Sequence, residues 1–204
     1  MNLKNMTKTT RHYLPVGLLV LTVAATGCTT ANVTNPPRSV TEQLLLSTAT
    51  DRAIASVGLP TVQGKKVYID GTYFDSYDSK YVIGSIRDAF SRAGALLVEN
   101  ATNSEYIVEA RSGGLSIDAS ESLFGLPGTG VPIPLAGSVS IPEIAFYKND
   151  SQHSIAKFAL LVYATQSRQH IYSSGPMVGK SYNKYYKILL GLISWNTTDI
   201  PEKK

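Results

Sequence analysis

The sequence predicts an α/β (α+β) fold, a single domain in which helices pack on a mixed β-sheet. Three observations predict it. A capped, helix-periodic segment fills residues 39–57. Residues 66–98 pass from strand to helix to strand. Residues 155–174 read as two apolar-rich strands joined by a polar bend. Helix and strand signals interleave over one core-sized length, which argues for a sheet covered by helices. No internal repeat is visible.

The elements follow in order. Ser39-Val-Thr-Glu42 has the capping-box pattern, in which serine and glutamate satisfy each other's free N–H groups. Leu46, Ala49, Ala53 and Val57 then recur at helical spacing, and Leu45 and Ile54 widen the stripe. Gly58 and Pro60 end this helix. Lys66–Phe74 reads as a strand, and Asp75–Ser79 as a turn and helix start. The second helix runs to about Ala93, with Val82, Ile86, Ala89, Phe90 and Ala93 on one side. Gly94 suits a left-handed stop. Leu96–Val98 is a short buried strand, Asn100–Ser104 a turn, and Tyr106–Ala110 a strand closed by Gly113-Gly114. Glu143–Tyr147 and Ile155–Ala164 read as strands. Thr165–Gln169 bends the chain into a hairpin with His170–Ser174. A final helix is expected over Ser181–Ser194. Val82, Ile86, Phe90, Leu97, Val108 and Leu160 form the expected core, where the second helix covers the sheet.

Ahead of this domain stands the only cysteine, Cys28. It closes Leu21-Thr-Val-Ala-Ala-Thr-Gly-Cys28, after an apolar run that follows Lys4, Lys8 and Arg11. A basic start, an apolar middle and small residues at a cut are the marks of an export signal. The apolar stretch Leu14–Ala25 is about 12 residues, short of the roughly 20 that span a bilayer. The small residues ending on cysteine resemble the lipobox of bacterial lipoproteins. That resemblance implies cleavage after Gly27, a thioether-linked lipid on Cys28 and acylation of the new amino terminus. By resemblance to lipoprotein sorting rules, Thr29 in place of an aspartate implies an outer-membrane anchor in a diderm cell, with the domain expected to face the periplasm. The expected organisation is a signal peptide at 1–27, a lipid-anchored tether at 28–38, the domain at 39–195 and a polar, loose tail at 196–204. Pro36-Pro37 forces extended backbone. Ten tether residues reach at most about 35 Å, so the domain is expected close to the membrane.

The formal charge of +4 overstates the basic character of the mature chain. Lys4, Lys8 and Arg11 leave with the signal, so 16 of the 19 basic residues face all 15 acidic ones. No clustered basic face argues for nucleic acid as a partner. No cysteine remains for a disulfide or thiolate metal site. The three histidines are scattered, so neither a metal nor another cofactor is expected. Ser112-Gly-Gly and Ser173-Ser-Gly do not match a nucleophile turn. Gly125-Leu-Pro-Gly-Thr-Gly130 lacks the lysine ending of a phosphate loop. The sequons at Asn32, Asn100, Asn149 and Asn196 carry no meaning beside a bacterial lipobox.

Four stretches carry a wider resemblance. They are Thr34-Asn-Pro-Pro-Arg-Ser-Val-Thr-Glu-Gln-Leu-Leu-Leu-Ser47, Gly64-Lys-Lys-Val-Tyr-Ile-Asp70, Tyr106-Ile-Val-Glu-Ala-Arg-Ser-Gly-Gly114 and Ile141-Pro-Glu-Ile-Ala145. They resemble a family of small bacterial lipoproteins described only as a domain of unknown function. The resemblance implies an envelope lipoprotein and supplies no catalytic residue. The element order is also similar to the periplasmic domain of the curli secretion lipoprotein and the amino-terminal domain of TolB. That similarity is one of layout, and a shared fold does not fix function.

Three segments invite a role. Alternation places Glu109 and Arg111 on one strand face, where they form either a structural ion pair or part of a polar groove. Lys180, Lys184 and Lys187 form a basic row on the expected final helix, either its wet side or a contact for anionic headgroups. Ser122–Pro142 carries no charge, many apolar residues and eight glycines and prolines, which exclude a continuous helix or central strand. It reads either as a loop folded over the domain's own core or as a docking surface built on Phe124, Leu126, Val131, Ile133 and Leu135. The expected function is non-enzymatic: an accessory or assembly subunit of an outer-membrane or periplasmic complex, with a protein partner or self-association at this loop. The alternative is a lipid-anchored domain that holds a small or lipophilic envelope ligand. Exposed apolar side chains in the loop would favour docking, and a lined cavity would favour a ligand.

Overall fold

Ser39 caps the first helix as the sequence predicts. The Glu42 N–H donates to Ser39 Oγ at 3.2 Å, and the Ser39 N–H donates to Glu42 Oε2 at 3.0 Å. The computed structural model describes residues 38–133 and 137–201, with backbone alone at 131–133 and 137. Helix α1 spans Val40–Ala55, β1 Lys66–Tyr73, α2 Ser79–Arg92 and β2 Leu96–Leu97. A 3-10 turn at Ala101–Asn103 leads into β3, Tyr106–Leu126. Next come β4 (Thr129–Ile133), β5 (Gly137–Ile141), β6 (Ile144–Ala164) and β7 (His170–Ile188). A second 3-10 turn at Leu189–Gly191 precedes β8, Ile193–Thr198. The result is one domain with a mixed sheet and two helices, richer in strand than the sequence predicts.

Six strands form one sheet in the order β2-β1-β3-β6-β7-β8, and β4 and β5 form a separate hairpin. β1 runs parallel to β2 and β3, and every other pair is antiparallel. Both helices lie on one face. Their cover makes the core: Val82, Ile86 and Phe90 from α2 meet Val67, Val108, Phe158, Leu160 and Val162 from the sheet. Leu97 is partly buried against it. Phe74 and Phe158 pack edge-on, with centroids 5.8 Å apart. Gly94 takes φ +89 after α2, the left-handed stop expected of it.

Helix α1 lies so close to the sheet that one position admits no side chain. A Cβ at Gly179 of β7 would sit 1.8 Å from the Ala49 carbonyl oxygen and 2.6 Å from the Ala53 nitrogen. Small residues on both sides, Gly179 against Ala49 and Ala53, permit this approach. Beside it the Ser154 hydroxyl donates to the Leu45 carbonyl at 2.9 Å, which satisfies a buried polar group. Farther along α1, Arg52 donates to the Lys180 carbonyl at 2.7 Å, to the Asp199 carboxylate, and to the Asp199 carbonyl at 2.7 Å. Asp199 also accepts from the Ser181 hydroxyl and the Tyr182 N–H, both at 2.7 Å.

The strands are three to four times the usual length. β3 and β6 have 21 residues each and β7 has 19, where about 5–6 is ordinary. This corrects several expectations. Gly113-Gly114 does not close β3; it forms a bulge, because the register with β6 shifts between Ser112 and Gly114. Before the bulge the even residues Val108 and Ala110 face the core. After it the odd residues Leu115 and Ile117 take the helix side. The segments read as separate strands at 143–147 and 155–164 are one strand, β6. The final helix over Ser181–Ser194 is absent: β7 continues to Ile188, then turns and returns as β8. Lys180 and Lys184 therefore share one sheet face and Lys187 lies on the other. The expected loose tail is tied down as far as Asp199. Beyond Arg111, β3 has no neighbour on its outer side among the described residues and forms an open edge.

Two outcomes test this account. Gly179→Ala should lower stability by about 3 kcal/mol or more, read as a fall in melting temperature, because backbone atoms must move to admit the methyl. For Asp199, burial pushes the carboxyl upward, but the Ser181 hydroxyl, the Tyr182 N–H and the Arg52 guanidinium outweigh it and hold the pKa below the ordinary value. A carboxyl depressed in the folded state adds stability above its unfolded pKa, and loses it as pH falls through the folded value. Asp199→Asn should therefore cost about 1–3 kcal/mol at neutral pH. Thermal melts should show the gap to wild type closing below about pH 4.

Candidate docking surface at the end of the sheet

The far halves of β3, β6 and β7 leave the helices behind. The last buried residue of β3 is Ala110 and the last of β7 is Ser181. Past the level of Ile117, Ser154 and Ser181, where α1 last covers it, the sheet continues for about seven to ten residues, or about 23–33 Å, as an arm. Period-two alternation explains why it stays sheet: Leu115, Ile117, Ala119, Glu121 and Leu123 alternate with Ser116, Asp118, Ser120 and Ser122. Short serines line its β3 strand while Tyr182, Lys184, Tyr185 and Lys187 line its β7 strand, and among the described residues no helix lies over it.

Its end is apolar. One cross-strand row runs Phe124–Tyr147–Ile188–Ile193 through four strands. The next row on that face is Ser122–Asn149–Tyr186–Trp195, in which Tyr186 and Trp195 stack with centroids 5.0 Å apart and planes 13° apart. Phe124 and Phe146 meet at 6.4 Å across the register shift that closes β3. Yet Phe124 is 72% exposed and Leu126 60%. Ile144, Phe146, Val139 and Ile141 are exposed as well. Lys148 fixes the root of the β4–β5 hairpin by pairing with Glu143 at 2.9 Å and Glu121 at 3.0 Å. Those two carboxylates, Glu143 first, raise its pKa and keep it charged.

The β7–β8 turn adds a second apolar feature. Leu189 and Leu190 adopt φ +50 and +61, followed by Gly191 at +85. A left-handed conformation costs a branched residue about 1–2 kcal/mol. Turns that need it ordinarily hold Gly or Asn. Here two leucines hold it, and they are exposed, as is Leu192 at 83%.

The sequence-derived candidates fall as follows. Phe124 and Leu126 lie on the last turn of β3, exposed and next to Phe146. Ser122–Pro142 is therefore no irregular loop: it comprises the end of β3 and the β4–β5 hairpin, in which Pro132 stands opposite Ser138. Val131 and Ile133 belong to β4 by backbone, and their side chains lie outside the described residues. Leu135 and Cys28 also lie outside them. Glu109 and Arg111 sit in the body of the sheet, paired with Asp70 and Tyr73 of β1. Among the described residues no ion pair joins them; Glu105 instead pairs with Lys65 at 2.9 Å. Phe146, Trp195 and the leucines of the β7–β8 turn escaped the sequence reading, although Leu189-Leu-Gly-Leu-Ile193 stands out as an uncharged apolar run beside tyrosines.

Grooves lie elsewhere. One of about 720 Å³ separates α1 from α2 and is lined by Asp51, Lys80, Tyr81, Asp88 and Arg92 among others. There the Tyr81 hydroxyl donates to the Asp51 carboxylate at 3.0 Å. Another of about 360 Å³ lies on the arm, between Ala119, Glu121, Gln152 and Tyr185. Among the described residues no three His, Cys, Asp or Glu side chains are grouped to hold a metal ion. Residues 22–197 match the model of a family of unknown function, DUF6655. The chain belongs to this family. The DUF6655 match takes in both the helix-covered body and the arm, and all four of the familiar stretches fall within it. No curated protein matched the chain. Membership in DUF6655 assigns no residue a role, so the reading of function rests on the geometry.

Because Phe124, Leu126 and Phe146 support no core residue, changing all three to Ser should leave the fold intact. Thermal melting should register a loss of no more than about 0.5 kcal/mol per substitution.

Proposed function

We propose that this DUF6655 member is a lipid-anchored protein of the bacterial envelope that acts by docking, as an accessory or assembly subunit of an outer-membrane or periplasmic complex. The observation that carries the proposal is the exposed apolar end of the arm around Phe124, Leu126, Ile144 and Phe146. Contiguous apolar surface of this kind on a water-facing domain marks an interaction site. The charged residues nearest it, Lys148 with Glu121 and Glu143, are paired with one another, two carboxylates sharing one ammonium. The β4–β5 hairpin that follows β3 exposes Val139 and Ile141 as well.

The anchor is the second part of the proposal. A lipid on Cys28 and the short tether to Arg38 hold the domain near the outer membrane. Arg38 pairs with Asp78 at the start of α2, so the tether enters the body at a fixed point. The partner is a protein, because the patch is formed by side chains standing on a rigid sheet rather than by a concave pocket. The grooves named above take no lining from it.

Two experiments test these parts. Cys28→Ser should leave the protein unlipidated, either off the membrane or held as precursor; buried acyl chains contribute about 0.8 kcal/mol per CH₂. Unchanged membrane retention after signal cleavage would overturn the anchor. The Phe124→Ser, Leu126→Ser and Phe146→Ser triple variant should keep its melting temperature and lose crosslinked co-purification with the envelope protein that wild type brings down. Recovery of an apolar small molecule with wild type, and no protein, would favour the ligand reading instead.

A further inference from the structure

We propose that the β7–β8 turn is a membrane-inserting tip, in which Leu189, Leu190 and Leu192 enter the apolar boundary of a phospholipid bilayer. The first observation is the turn itself. Two leucines occupy consecutive left-handed positions and remain exposed. Neither folding nor solubility explains this choice, since glycine or asparagine would close the same turn without strain and without apolar surface. Backbone strain held at an exposed site points to a function served there.

The second observation is the order of residue types behind the apex. Leucines come first, at 189, 190 and 192. Ile188 and Ile193 pair next. Tyr186 and Trp195 then stack on one face, about 10 Å back along the strand at ~3.3 Å per residue. Trp195 keeps 44% of its surface exposed. Lysines flank this level on both faces: Lys187 over the Tyr185 ring on one, and Lys184 over the Tyr182 ring on the other. Apolar apex, aromatic belt and cationic collar are arranged as in the gradient from acyl chain through headgroup to water. Tyrosine and tryptophan prefer the interface, and lysine meets anionic headgroups. An element that lies in the interface buries its apolar part by about 5–10 Å, the same span.

A second copy of the chain fits this feature poorly. A convex turn of three leucines covers far less than the roughly 1,000 Å² that a stable protein interface requires. Such a tip is a weak membrane ligand by itself, and it depends on the anchor reading for its high local concentration of bilayer. The lipid and the tip would then hold the domain at two points and fix its orientation.

The chain carries its own probe, because Trp195 is the only tryptophan. The experiment uses the full chain with vesicles of phosphatidylethanolamine and phosphatidylglycerol, with and without brominated acyl chains. Wild-type Trp195 emission should shift to the blue on vesicle addition, and brominated chains should quench it. Leu190→Asp combined with Leu192→Asp should abolish the quenching while melting as wild type does. Leu190→Gly should raise the melting temperature by relieving the turn and yet reduce the quenching, a pair of changes that a purely structural leucine would not give. Absent quenching in wild type, or full quenching in the double aspartate variant, overturns the proposal. A blue shift that depends on protein concentration without vesicles assigns the tip to a second copy and also overturns it. Vesicle flotation reads the amino-terminal anchor separately from Trp195: undiminished flotation of Cys28→Ser with wild-type quenching would overturn the anchor and leave the tip, whereas flotation lost in Cys28→Ser with no quenching in wild type would overturn the tip and leave the anchor.

Discussion

The contact of helix α1 with Gly179 sets the architecture. Only a glycine lets the Ala49 carbonyl reach the strand, and that closeness brings Leu45 to Ser154 and Arg52 to Asp199. A larger residue at position 179 would lift the helix and break all three contacts. Because α1 crosses β6 and β7 near the middle of their length, it divides each strand into a covered half and a bare half. The covered half forms the core with α2. The bare half is the arm. Asp199 then draws the end of β8 back to the helix, so the last strand is held from the body side although it lies beside the arm.

That division separates stability from interaction. Large buried side chains, among them Phe90, Phe158 and Met177, gather under the helices. The arm is held by its ladder of backbone hydrogen bonds and by contacts such as Tyr186 on Trp195, with Lys148 pinning the hairpin root. Its apolar residues collect at the far end, where they support nothing within the domain. The proposed protein-docking patch on the β3 side and the proposed lipid tip on the β7 side share that end. A partner bound there would therefore meet the domain at the bilayer surface.

The sequence disclosed the covered half well. The capping box at Ser39, the stripe of Leu45, Ala49 and Ala53, the αL stop at Gly94 and the core positions of α2 all follow from local rules. The arm was less legible for specific reasons. Gly113-Gly114 has the composition of a strand end, and only pairing with β6 makes it a bulge. Lys180, Lys184 and Lys187 fall at helical spacing by coincidence, while Tyr182, Tyr185 and Tyr186 favour strand. Tertiary pairing with β6 decided between them. Proline and glycine in 122–142 argued against a central strand, and Gly130, Pro132 and Gly137 indeed lie in a two-stranded hairpin outside the main sheet, while Gly125 sits at the register shift that ends β3. Of the candidate site, Phe124 and Leu126 were found through missing charge. The leucine turn was hidden inside an expected helix.

The open side of β3 has a consequence for how the protein behaves at high concentration. Among the described residues nothing pairs with the outer edge of β3 from Ser112 to Leu126, an invitation to edge-to-edge polymerisation. Two features discourage it. The glycine bulge bends the start of the edge, so a straight neighbour cannot pair along its full length. Asp118 and Glu121 stand farther along, and a second copy aligned antiparallel would bring carboxylates against carboxylates. Crowded molecules are thus discouraged from zipping edge to edge by one kink and by carboxylates along the edge.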